Sequence, residues 1–231
     1  MLAAFIVMPQ PAHSTPLEDT SISYTIKMNS TRFGNATLGQ VETSLTQSDN
    51  GYVIESVTKA QGMAAIIIGS NRQEACEFEI ANGQAVTKTY SGGRVGKTDY
   101  QGDYEWEDRK VNFDSGDSLD MPDGLLFDNC MFWFAAALLK GEGFAEQSTY
   151  VVDGRSKRIR GYKLRSKESE TIETAVGEKD VIKVVLEREL RPGRTVTFWL
   201  SPDDQFLPLR IQESRKSRTI TFDVEQLERD A

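Results

Sequence analysis

The stretch whose spacing comes nearest to known chemistry is Ser91-Gly92-Gly93-Arg94-Val95-Gly96-Lys97-Thr98. It approximates the glycine-rich loop that cradles phosphates, in which backbone N–H groups converge on an anion at a helix N-terminus. That motif needs glycine where Ser91 stands, a strand before it and a helix after it. Both flanks here alternate like strands, so a hairpin turn is expected and nucleotide binding is not. Ser56-Val57-Thr58-Lys59 has the spacing of serine acyl enzymes, where lysine takes the serine proton from one helical turn away. On a strand, positions three apart point to opposite faces, so this match is fortuitous. Asp203-Asp204 sits in a turn before Gln205, where acidic residues are commonplace. His13 is the single histidine of the chain. Two cysteines cannot fill the tetrahedral shell of an ordinary Cys/His zinc site. No catalytic residue, metal site or cofactor is expected, and the chain does not read as an enzyme.

Cys76 and Cys130 are the chemistry that remains. In an oxidising compartment an isolated pair can close a disulfide between a strand and a helix. Closing a loop of that length stabilises by about 4 kcal/mol on the chain-entropy picture. Both residues also lie on apolar faces, where free buried thiols are at home. The two readings stay open.

The elements that would position these groups are mostly strands. Ile22, Tyr24, Ile26 and Met28 alternate with polar neighbours, as do Cys76, Phe78 and Ile80. The period recurs in Tyr150–Val152, Ile182–Leu186, Val196–Leu200, Leu207–Ile211 and Ile220–Val224. Turn residues separate the runs at Asp49-Asn50-Gly51, Ala81-Asn82-Gly83, Gly92-Gly93, Asp153-Gly154 and Arg191-Pro192-Gly193. The expected fold is all-β and mainly antiparallel, a single strongly curved sheet or open barrel.

One segment breaks the pattern. Leu125–Lys140 shows no alternation, with Asp123 as a candidate N-cap and Gly141 as a C′ glycine. It reads as one embedded apolar helix over about 124–140, buried on most faces, inside the concave side of the sheet or across its mouth. Phe127, Met131, Trp133, Phe134 and Leu138 are the candidate ligand-binding residues.

Composition sets the class and the N-terminus the compartment. At 231 residues, with 27% charged and 39% hydrophobic side chains, the chain suits a folded domain. A net charge of −8 argues against nucleic acid. The basic cluster Lys157, Arg158 and Arg160 reads as a solvated strand face. Past the N-terminus, no apolar run is long enough for a membrane span. Leu2–Met8, then Pro9 and Pro11, then Ala12-His13-Ser14 read as a signal peptide over residues 1–14, cut before Thr15. Its charged opening region is missing, which allows a true start upstream. Residues 15–231 then form one β-rich domain, exported, periplasmic and free of histidine.

Short pieces spread along this domain resemble a bacterial exported family, domain-of-unknown-function family 3108. They are Tyr24–Met28, Gly34-Asn35-Ala36, Gly51–Ser56, Asp103–Trp106 before Arg109–Val111, and Asp123–Leu125. Tyr150–Gly154, Trp199–Asp203 and Phe206–Ile211 follow in order. The closing strands also resemble, more weakly, periplasmic lipoprotein carriers. Those are curved antiparallel sheets with helices covering an apolar cavity. The resemblance implies a fold and a habit of holding acyl chains, and no catalytic residues. The expected function is therefore a non-enzymatic envelope protein that carries a lipid or lipoprotein acyl chain. The alternative is a module that binds another envelope protein through a strand edge or the helix face. A carrier needs an apolar pocket; a module needs an exposed apolar patch or an unguarded edge. Trp199 and Pro208 are expected to be structural, fixing the last hairpin.

Overall fold

The computed structural model describes residues 18–32, 34–62, 71–81, 84–139, 144 and 148–229. The signal peptide, His13, Gly141 and the Asn82-Gly83 turn lie outside the described residues.

The alternating runs form strands wherever alternation was read. They are β1 (Thr20–Ser30), β2 (Gly34–Ser48), β3 (Gly51–Ala60), β4 (Arg72–Ala81), β5 (Gln84–Arg94), β6 (Lys97–Glu105), β7 (Lys110–Phe113) and β8 (Ser118–Asp120). After the central segment come β10 (Thr149–Asp153), β11 (Arg158–Thr174), β12 (Gly177–Arg188), β13 (Thr195–Ser201), β14 (Leu207–Arg215) and β15 (Arg218–Arg229). With β9 (Leu125–Asp128), all belong to one sheet of 15 strands in the order β8 back to β1, then β15 back to β9. Two meanders are thus joined at their chain ends, where β1 pairs antiparallel with β15. The sheet is curved and open, not closed into a barrel by backbone pairing.

The expected helix is much shorter than its composition suggests. Leu125–Asp128 is instead an edge strand, β9, running parallel to β10. Its residues are all buried. A strand buried on both faces carries no alternation and so mimics a buried helix. A 3₁₀ turn at Met131–Trp133 and a single helical turn, α1 (Ala135–Leu138), complete the segment. Asp123 caps nothing; it pairs with Arg109 at the surface. Gly92 and Gly93 lie within β5 and are not the turn, which falls at Val95-Gly96. A Cβ on Gly92 would lie 2.2 Å from the Tyr100 hydroxyl, and one on Gly93 2.1 Å from the Lys97 carbonyl. Close approach explains both glycines.

The concave face holds the core. Ile22, Tyr24 and Ile26 of β1, Phe198 and Leu200 of β13, and Leu209 and Ile211 of β14 are fully or nearly fully buried. Phe132 packs between Tyr162 and Phe198, and Trp133 lies 4.4 Å from Phe222, centroid to centroid. The curl brings the C-terminal edge of the sheet onto its N-terminal wing. There a seam of side chains replaces hydrogen-bonded strands. Asp128 of β9 meets Thr87 of β5, and Lys157 pairs with Asp117. A Cβ on Gly154 would lie 2.7 Å from the Tyr100 ring, so glycine lets the β10–β11 turn rest on that wing.

Trp199 and Pro208 do hold the closing strands. The Trp199 indole N–H donates to Glu170 of β11, and Lys183 and Arg210 each lie 5.8 Å from its ring. Pro208 sits at a register shift in the β13–β14 pairing, where its missing N–H is tolerated. Its carbonyl accepts the Tyr24 hydroxyl at 2.8 Å, tying β14 to β1 across β15.

Candidate functional site

The two cysteines meet at the seam. Cys76 comes from β4, where alternation points it inward, and Cys130 from the turn after β9. Their sulfurs are 2.9 Å apart, and both side chains are buried. Asp128 lies beside them. One of its carboxylate oxygens accepts the Met131 N–H at 2.7 Å and the other accepts the Thr87 hydroxyl at 3.2 Å. The Thr87 hydroxyl also lies 2.8 Å from the Met131 sulfur. Tyr104 is buried close by, and its hydroxyl has no hydrogen-bond partner among the described residues.

Burial sets the proton affinities of this cluster. It pushes Asp128 up to about 7, against the opposing hydrogen bonds from Met131 and Thr87. Burial also pushes the Cys130 thiol up to about 11 and raises Cys76 well above an ordinary thiol. Cys76, Asp128 and Cys130 place two sulfurs and a carboxylate oxygen within 4.8 Å of one another. As geometry this could seat a soft metal ion. Metal ligation needs deprotonated ligands, however, and every donor here holds its proton more tightly than usual. In this structure the two are free thiols, Cys76 donating to Cys130, and they lie close enough that a disulfide would carry no charge into the core. Asp128 and Thr87 escaped sequence reading, although one signal existed: Asp128 is the sole charge in the apolar run 125–139.

The five ligand-binding candidates separate by depth. Phe127, Met131 and Phe134 are buried core, while Trp133 and Leu138 are half-buried. The crevices that Phe134, Leu138 and Trp133 line are small, about 10 Å³ beside Phe134 and Leu138 and about 40 Å³ beside Trp133. The segment therefore fills the concave face at these positions. A much larger cavity, about 850 Å³, opens just beyond Trp133 at the end of the same face. Met28 of β1, Leu38 of β2, Ile220 of β15 and Pro192 give it an apolar floor. Leu38 is turned there by a bulge, the register shifting between Ile26 and Lys27. Arg32, Arg194, Arg215, Lys216 and Arg218 form its rim. Trp133 shares Arg194 and Arg215 with this cavity through the small crevice. The sequence hides the site because its floor comes from three strands separated along the chain.

The other motifs resolve as structure. Ser56 of β3 hydrogen-bonds Thr43 across the ladder, and Lys59 pairs with Glu42. Asp204 is buried, bonded to Ser201, Lys179 and Arg229. Burial alone would raise its pKa, but these partners hold it below the usual carboxylate range. Lys157 pairs with Asp117 and Arg160 with Asp153.

The profile of the family "Protein of unknown function (DUF3108)" matches residues 23–224. The chain belongs to this family. No curated protein matches the sequence. Among solved structures, a beta-barrel-like protein of domain of unknown function DUF1849 from Brucella abortus aligns with a TM-score of 0.58 at 11% identity. That alignment covers 94% of this chain and 99% of the other, so the two share a fold. MucB aligns at a TM-score of 0.36 and 11% identity, over 93% of this chain and 54% of its own. An outer membrane lipoprotein-sorting protein domain from Vibrio parahaemolyticus aligns at 0.28 and 8%, over 93% and 86%. Scores at that level carry no weight for this DUF3108 chain. No helix among its described residues is long and apolar enough to cross a membrane.

Proposed function

We propose that this DUF3108 protein is a non-enzymatic periplasmic envelope protein that holds an apolar ligand, a lipid or the acyl chain of a lipoprotein. The observation that carries this reading is the cavity of about 850 Å³ floored by Met28, Leu38 and Ile220. Its size and the apolar surface of Met28, Leu38, Pro192 and Ile220 suit an alkyl chain, beside a polar lining of Ser30, Thr31, Ser217 and the cations. Trp133, packed on Phe222, lines the small crevice that shares Arg194 and Arg215 with the cavity, while Phe127, Met131 and Phe134 belong to the buried core and Leu138 packs against it. Asp128, Cys76, Cys130 and Tyr104, whose proton affinities burial raises, are enclosed in core and do not line the cavity, which supports holding over turnover.

The test is native mass spectrometry of protein purified without detergent, followed by lipid extraction and titration with a fluorescent fatty acid. A bound species lost on denaturation, together with weakened probe binding in Ile220→Trp, is the expected result. A bare mass that stays unchanged after incubation with envelope lipids, with Ile220→Trp binding probe like wild type, overturns it.

A further inference from the structure

The turns of a meander alternate between the two ends of a sheet, so charge carried in the turns sorts by end. The β2–β3, β6–β7 and β13–β14 connections share one end and carry Asp49, Glu107, Asp108, Asp203 and Asp204 against a single cation, Arg109. The β1–β2, β5–β6, β12–β13 and β14–β15 connections share the other. That end carries Arg32, Arg94, Lys97, Arg188, Arg191, Arg194, Arg215, Lys216 and Arg218. A chain with a net charge of −8 has thus gathered cations at one end.

The acids at that end are largely committed elsewhere. Asp99 faces Arg72 and Arg94, Asp153 holds Arg160, Glu189 faces Lys163, and Asp117, in the β7–β8 turn at the same end, holds Lys157, while Asp114 beside it is exposed. Glu187 faces Arg165 and accepts the Gly193 N–H. Glu213 alone lines the crevice shared with Arg160, Arg188, Arg194 and Arg215. Arg188, Arg191, Arg194, Arg215, Lys216 and Arg218 have no ion-pair partner among the described residues. Their crowding is costly: partial desolvation, then Arg215, Arg191 and Arg160, lower the pKa of Arg194. An arriving anion would relieve that repulsion.

The same end carries bare apolar tips. Leu190, in the β12–β13 loop, is 93% exposed, and Val95, in the β5–β6 turn, is 53% exposed. The third exposed large apolar side chain among the described residues, Trp106, lies at the opposite end with its indole N–H bonded to the Thr87 carbonyl. A leucine at a loop tip with guanidinium groups behind it matches a surface whose charged layer covers an apolar one.

We propose that this end docks on an anionic phospholipid bilayer, with Leu190 entering the interface and the arginines at headgroup level. Nucleic acid offers charge without an apolar layer, so it would leave Leu190 in water. The cavity mouth opens at the same end and faces the bilayer in this pose, although docking does not depend on the cavity being filled.

The experiment is co-sedimentation of the full chain with vesicles of phosphatidylcholine alone and with phosphatidylglycerol added, at low and high salt. Binding is expected only to the anionic vesicles, weakening with salt. Arg191→Glu, Arg194→Glu and Arg215→Glu combined should lower partitioning about a hundredfold or more, at about fivefold per cation. Leu190→Ser should weaken binding, whereas Lys110→Glu, at the exposed first position of β7, should leave it unchanged. Circular dichroism and urea midpoints check that each variant folds. Ile220→Trp should keep vesicle binding even where it loses the fatty-acid probe, which separates this proposal from the carrier reading. No binding to anionic vesicles, or equal binding by the triple variant, overturns the proposal. So does loss of a co-purifying protein, in place of vesicle binding, in the triple variant.

Discussion

Asp128 makes stability depend on pH in a direction opposite to most carboxylates. Its folded pKa of about 7 stands above its ordinary value of 3.8 because burial penalises the charge. A raised carboxylate favours folding fully below about pH 4, and that contribution is lost as pH rises towards 7. The gap of about three pH units, at 1.36 kcal/mol each, amounts to about 4 kcal/mol. Asp128→Asn removes the titration and keeps the contacts: its carbonyl can accept the Met131 N–H, and its amide can donate to the Thr87 hydroxyl. Near pH 4 the two proteins should be about equally stable. By pH 8 the variant should be more stable by up to about 4 kcal/mol, with the difference growing no faster than about 1.4 kcal/mol per pH unit. Urea unfolding followed by tryptophan fluorescence at closely spaced pH values supplies both curves. Their difference isolates Asp128 from the other acids. Parallel curves across pH 4–8 would refute the reasoning, because the carboxyl would then not be losing solvation on folding.

The seam yields further predictions. Alkylation under denaturing conditions, read by mass, should find Cys76 and Cys130 oxidised in protein from the periplasm, and reduction should cost about 4 kcal/mol of stability for a closed loop spanning 54 residues. Two free thiols per chain in that material would contradict the pairing. Gly154→Ala should lower stability by about 1–3 kcal/mol, because its Cβ would press on the Tyr90 and Tyr100 rings. An unchanged urea midpoint would show that the β10–β11 turn does not rest on that wing. Asp204→Ala should cost about 3 kcal/mol by stripping Lys179 and Arg229 of a shared, buried partner. A loss within about 0.5 kcal/mol would mark the network as solvated.

Much of the architecture was legible along the chain because a half-buried strand writes its burial locally. Ile22, Tyr24 and Ile26 point to one face with polar residues between them, and that pattern needs no knowledge of β15, which pairs alongside. The turns at Asp49-Asn50-Gly51 and Arg191-Pro192-Gly193 were equally local. The segment 124–140 conceals its strand for the converse reason. Leu125–Asp128 is covered on both faces, so its periodicity vanishes, and what pairs with it arrives only at Thr149.

Local pattern along the chain suffices for an all-β protein of the DUF3108 family, with His13 as its single histidine and two cysteines on apolar faces. The tertiary structure alone decided that Cys76 meets Cys130 and that Asp128 lies between Thr87 and Met131. It also decided that Met28, Leu38 and Ile220 floor one cavity. Cys76 and Cys130, Thr87 and Asp128, and Met28 and Ile220 are each dozens of residues or more apart, and only strand order and the curl of the sheet bring them together. The basic end follows the same logic. Each of its turns is an ordinary polar connection, and the concentration of charge exists only once an antiparallel order stacks those turns at one end.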